Sequence, residues 1–175
     1  MLHSHLWAIR ILFDYLQAEG SIGANPFSLL SFPSPRKEER EVLTREEIKK
    51  LYQACETPLD RAMLGLFYGC GLRKSEAEAL NLRDISFRSR LLYVRSGKGK
   101  RRRVVPVTGR VSEDLKNYYY QERVRMLRRS KDPESEKAFM LNKIGERMTG
   151  QSFWRRLRQL VLKAQVENPS RITLH

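Results

Sequence analysis

Leu2, Leu6, Ile9, Phe13 and Leu16 are spaced three to four residues apart, so their side chains share one helical face. The pattern predicts an amphipathic helix ending near Glu19 and Gly20, and Asn25-Pro26 in "ANPFSLL" reads as a turn after it. The segment "SFPSPRKEERE" then combines two prolines with a run of charges and carries no apolar period, which is the composition of a linker. A boundary near residue 40 follows: an N-terminal piece over 1–32, a linker over 33–41 and the body of the protein over 42–175.

Within that body Thr44 and Glu47 have the spacing of a capping box ahead of Ile48, Leu51 and Tyr52, so a helix is predicted to start there. Leu59, Met63, Leu66, Phe67 and Cys70 give a second helix from about Pro58 to Tyr68, and a third runs from about Lys74 to Leu80. After Asp84 the period changes. "LLYVR" and "RRVVPV" are short, apolar and rich in β-branched residues, and "SGKGKR" between them makes two antiparallel strands joined by a glycine-rich turn. Pro106 places its strand at a sheet edge or at the strand's own end, because proline has no N–H to give to a ladder. Residues from about Ser112 to Arg129 return to helix, "AFML" fits a buried strand or an extended segment, and Phe153, Leu157, Leu160, Val161 and Ala164 define a last helix. The predicted class is α+β, mainly helical with one small antiparallel sheet.

Composition narrows the partners. Lys and Arg number 34 against 20 Asp and Glu, giving a net charge of +14, which points to a polyanion and above all to nucleic acid. No stretch approaches the roughly 18 apolar residues of a membrane span, and Arg10 and Asp14 inside the first apolar pattern exclude a signal peptide, so no membrane association and a cytoplasmic location are expected. Cys55 and Cys70 lie in helical apolar patterns and act as small hydrophobes. His3 and His5 have no further ligands at metal spacing, so no metal is expected. "GKGK" lacks the spacing of a phosphate-cradling loop and does not open a helix.

The charges are unevenly placed. From Ile85 to Ser112 there is no acid, yet Arg88, Arg90, Arg95, Lys98, Lys100, Arg101, Arg102, Arg103 and Arg110 all fall there. A ribbon so charged makes physical sense along DNA phosphates, where neutralising the backbone releases counterions. Arg73 is different: it follows directly on a buried helical face and a Gly-Cys-Gly break, where a permanent cation is unexpected. It could pair with Glu76, one helical turn on, in a purely structural contact.

"GLRKSEAEALNLRDI" followed by "YVRSGKGKRRRVVPV" resembles the catalytic domain of the tyrosine recombinases, the phage-integrase and Xer-like enzymes. "LTREEIKKLYQA" resembles the start of that domain, and "LWAIRILFDYLQAEGSIGANPFSLL" is similar to the end of the family's helical, SAM-like core-binding domain. The resemblance implies site-specific DNA recombination or integration, in which a tyrosine hydroxyl displaces a DNA 5′-oxygen and leaves a 3′-phosphotyrosyl link that a partner strand then attacks, with no cofactor and no metal. It makes Arg73 a donor to the phosphorane, a task suited to a planar guanidinium that keeps its charge. Glu76 would hold Arg73 or a neighbouring catalytic side chain, Lys98 would protonate the leaving oxygen with Lys100 as its fallback, and His175 in "RITLH" would open the H-x-x-R box. Motif order puts the second arginine and the nucleophilic tyrosine after His175, so Tyr118, Tyr119 and Tyr120 are not that nucleophile. The implied chain is a recombinase fragment, truncated at both ends and inactive alone, the full-length protein being a homo-tetramer on double-stranded DNA and this piece a monomer. The alternative is a non-catalytic DNA-binding module that occupies or regulates recombination sites.

Overall fold

The computed structural model describes residues 2–28, 30, 43–95, 102–166 and 172. The chain divides into two compact units, Met1–Arg40 and Glu41–His175. In the first, helix α1 (Leu2–Ala18) is followed by a turn built on Asn25. Its side-chain oxygen accepts from the Phe27 N–H at 2.7 Å and its amide donates to Asp14 Oδ1 at 2.6 Å, so this asparagine makes the turn and ties it back to the helix. Phe13 packs against Phe27 with the rings tilted by 40° and their centroids 5.1 Å apart. Of the predicted apolar face, Leu6, Phe13 and Leu16 are half-buried and Ile9 is exposed; Trp7, Leu12 and Tyr15, outside that face, are exposed as well. One helix and one turn offer too little surface to bury the rest.

The second unit begins with α2 (Arg45–Gln53), whose capping box forms as read: Thr44 Oγ1 accepts from the Glu47 N–H and Glu47 Oε2 accepts from the Thr44 N–H at 2.7 Å. A second box, Thr57 with Asp60, starts α3 (Pro58–Leu64), with Pro58 in the first turn where its missing N–H costs nothing. The helix continues as a π-helical segment, Gly65–Gly69. Both glycines face Val111 of α5 (Gly109–Asn117), and a Cβ on Gly69 would lie 2.6 Å from Val111 Cγ2. Their lack of side chains lets α5 pack closely.

After α4 (Lys74–Glu78) comes a three-stranded antiparallel sheet in the order β1 (Ile85–Ser86), β2 (Leu91–Val94), β3 (Arg103–Pro106). Leu92 and Val94 point into the core and Tyr93 points out, the alternation a half-buried strand requires. Pro106 is both the last residue of β3 and on an edge strand, opposite Leu91. Strand β1 has only two residues, too few to show a period, and so leaves no sign in the sequence. The helix expected over 112–129 is α5, a π-helical segment Tyr118–Arg123 and α6 (Val124–Leu127) in succession. "AFML" is buried as expected but forms no strand: Phe139 and Met140 bend between single bridges from Ala138 to Asn81 and from Leu141 to Arg147. Helix α7 (Gly150–Lys163) inserts Phe153, Leu157, Leu160 and Val161 into the core, and Phe153 meets Phe67 edge-on.

Candidate functional site

The turn between the Gly65–Gly69 segment and α4 explains a cation at the edge of the core. Gly71 takes a left-handed conformation (φ 60°), which drives Leu72 into the interior and leaves the next residue, Arg73, on the outside as the cap of α4. Three positions on, the helix brings Glu76 back under that turn, its side chain 1% exposed against 50% for Arg73. Glu76 Oε2 accepts from the Arg73 backbone N–H at 2.8 Å, and Oε1 accepts from Arg73 Nη1 at 2.9 Å.

A third group completes the cluster. Arg103, the first residue of β3, donates from Nη1 to Glu76 Oε1 at 2.6 Å and from Nη2 to Oε2 at 2.7 Å, and Nη2 also reaches the Gly71 carbonyl at 3.3 Å. Among the described residues each carboxylate oxygen thus receives two hydrogen bonds, and the cluster carries two positive charges against one negative. The Arg103 hydrogen bonds, joined by those from the Arg73 backbone and side chain, overcome the cost of burial and hold the Glu76 carboxyl down at about 2. The same hydrogen bonds raise the pKa of Arg103.

Of the other basic residues of the acid-free window, Arg95 is paired with Asp84, which lies just before that window. Arg88, Arg90, Arg102 and Arg110 are exposed; Arg90 adopts a left-handed turn conformation (φ 53°), and Arg110 lies over the Tyr52 ring. Lys98, Lys100, Arg101 and His175 lie outside the described residues. Two of the window's arginines, Arg95 and Arg103, thus fold up against acids that lie before it in the chain, Asp84 and Glu76. Strand parity held the clue for Arg103, because it shares its side of β3 with the half-buried Val105 and precedes the buried Val107 by an even step.

The tyrosine run divides by burial. Tyr118 is fully buried, its hydroxyl accepting from the Leu141 N–H at 2.9 Å, and burial pushes its pKa up. Tyr119 packs on Phe87, and Tyr120 is exposed. Burial likewise raises the Cys55 and Cys70 thiols, to about 12 and about 11, so neither supplies thiolate at neutral pH. Among the described residues no three His, Cys, Asp or Glu side chains gather as a metal site, and no helix is long and apolar enough to cross a membrane.

A guanidinium braced on one side by a buried carboxylate and half open on the other can offer directed donors to an anionic oxygen. Residues 41–175 match the phage integrase family. The chain belongs to that family. It is 32% identical over 167 residues to the tyrosine recombinase XerC of Natranaerobius thermophilus, covering 93% of this chain and 56% of that protein. It is 36% identical over 163 residues to XerC of Chlamydia trachomatis serovar L2, covering 90% and 50%. The chain therefore spans about half the length of these curated relatives. Among solved structures, XerA recombinase superposes with a TM-score of 0.63 at 20% identity, covering 96% of this chain and 57% of that one. A lambda integrase dimer bound to a COC′ core site gives 0.67 at 19% identity, covering 93% and 45%. These superpositions establish the α+β fold shared with integrases.

Proposed function

We propose that this chain carries the catalytic core of a site-specific DNA recombinase that exchanges strands through a 3′-phosphotyrosyl link. The observation that carries the reading is the half-exposed Arg73 braced by the buried Glu76 carboxylate, in a chain of the phage integrase family. Arg73 donates to the non-bridging oxygens of the scissile phosphate, where negative charge grows in the transition state, and Glu76 fixes its direction. Lys98 protonates the departing 5′-oxygen and His175 assists proton transfer, both on the strength of motif resemblance. Arg88, Arg90, Lys100, Arg101, Arg102 and Arg110 serve the DNA backbone. Residues 1–32 belong to a core-binding domain, and the whole protein works on double-stranded DNA as a homo-tetramer in the cytoplasm, its tyrosine nucleophile lying after His175 in motif order.

Binding of the 175-residue chain to duplex DNA across a salt series tests the reading. Affinity should fall steeply with salt, and charge reversal at Arg101 and Arg102 should weaken all sequences alike and lower the salt slope by about one for each phosphate no longer neutralised. Arg73→Ala should leave the fold and most of the affinity in place, because Arg73 acts on charge that develops only during reaction. Affinity indifferent to salt, or an Arg73→Ala variant that does not fold, would refute the proposal.

A further inference from the structure

Arg103 stands where the glycine-rich hairpin segment re-enters the sheet. It pairs with Val94 as the final rung of the β2–β3 ladder, and its guanidinium crosses to a carboxylate on α4, 27 residues earlier in the chain. At each Glu76 oxygen Arg103 makes the shorter of the two hydrogen bonds, 2.6 against 2.9 Å at Oε1 and 2.7 against 2.8 Å at Oε2. Arg103 therefore holds Glu76 by a two-nitrogen fork, whereas the Arg73 side chain touches it through Nη1 alone. Forked pairing is the geometry a guanidinium and a carboxylate prefer. With Arg103 absent, Arg73 would be the one positive partner left to Glu76 among the described residues; it would close into the fork itself, and the pair would be neutral.

We propose that Arg103 is a positioning residue for Arg73: by occupying both oxygens of Glu76 it lets that carboxylate aim Arg73 without neutralising it, so that a net positive charge stays available to a phosphate oxygen. The inference rests on the reading of Arg73 as the phosphate-facing arginine. It also links the site to the hairpin, since the bond from Arg103 to the Gly71 carbonyl grips the left-handed turn that presents Arg73. The strand leading out of "SGKGKR" and the turn leading into α4 are thereby held by one side chain.

The test uses the 175-residue chain with nitrogen-15 arginine and carbon-13 glutamate labels, comparing the parent, Arg103→Gln, Arg103→Lys and Arg102→Gln. Arg102→Gln serves as the control for loss of one positive charge beside the same hairpin. Adding a short DNA duplex should shift the Arg73 side-chain N–H signal in the parent and in Arg102→Gln. In Arg103→Gln that shift should be lost or reduced several-fold, although the two Gln variants lose similar overall affinity. The Glu76 carboxyl midpoint should rise by about one pH unit or more in Arg103→Gln and stay put in Arg102→Gln. Arg103→Lys keeps the charge but not the fork, so it should fall between parent and Arg103→Gln, and it carries the comparison should Arg103→Gln not fold. An Arg73 response in the Arg103 variants equal to that in Arg102→Gln would overturn the inference and leave the reading of Arg73 standing. No Arg73 response in the parent would overturn that reading itself, and this inference with it.

Discussion

Replacing Glu76 by Gln removes the negative charge from the cluster while keeping the side chain's size. A carboxyl held at about 2 instead of 4.5 stabilises the folded state by about 3 kcal/mol at neutral pH. Because the folded value is the depressed one, that contribution is complete above the unfolded value, declines as pH falls between the two, and is gone below the folded one. Glu76→Gln should therefore unfold about 3 kcal/mol more easily at about pH 7, with the gap closing as pH approaches 2, where the parent carries a protonated acid much like an amide. Both proteins lose stability in acid through other carboxyls, so it is the difference between them that isolates Glu76. Urea unfolding followed by fluorescence provides the measurement: Trp7 and Trp154 are the two tryptophans, and Trp7→Phe leaves Trp154 on α7 to report on the second unit alone. A gap of equal size at about pH 7 and about pH 3 would refute the reasoning, since it would mean that shape and not charge matters at position 76.

Gly69→Ala should destabilise by about 1–3 kcal/mol in the same unfolding assay, because its Cβ meets the stiff Val111 side chain at 2.6 Å, and adding Val111→Ala should recover part of the loss. Arg123 is buried and donates to the carbonyls of Ala138, Glu136 and Ser135, so Arg123→Met, which leaves these acceptors without a donor, should cost about 3 kcal/mol. Burial pushes the Asp60 carboxyl up, but hydrogen bonds from Arg156 and Thr57 outweigh it and hold the carboxyl below its ordinary value. Asp60→Asn should thus be less stable than the parent at neutral pH, and denaturation in increasingly acid buffer should show the deficit shrinking as the parent's Asp60 takes up a proton.

What was legible in the sequence is what depends on near neighbours. The Thr44–Glu47 box, the Leu59 to Cys70 face and the α7 stripe each declare themselves within one or two helical turns, and so does the approach of Glu76 to Arg73. The rest needed the chain to fold. Arg95 and Arg103 look like two more cations in an acid-free ribbon, but the ribbon's partners, Asp84 and Glu76, come from the segment before it and are brought up by the turn at Gly71 and by β2–β3 pairing. The π-helical segments read as plain helix because the apolar period survives them; the Gly65 and Gly69 spacing is the one local trace of the first. Periodicity shows which side of α1 is apolar, but not how much of that side is covered.

The structure sorts the basic residues by what they are attached to, and the two groups should answer differently to salt. Arg88, Arg90, Arg102 and Arg110 are exposed, and mobile ions screen charges of that kind over about 8 Å at physiological ionic strength. Their attraction for a polyanion is long in reach and readily weakened, which suits bringing any DNA to the surface. Arg73 and Arg103 share a carboxylate that is 1% exposed, and a pair with a buried member is screened much less. Raising the salt should release DNA well before it loosens the Arg73–Glu76–Arg103 cluster. The direction in which Arg73 points is thus set by the protein's own packing. For the role proposed for Arg73, preorganisation of that kind matters, because reorienting a donor during a reaction would add to its barrier.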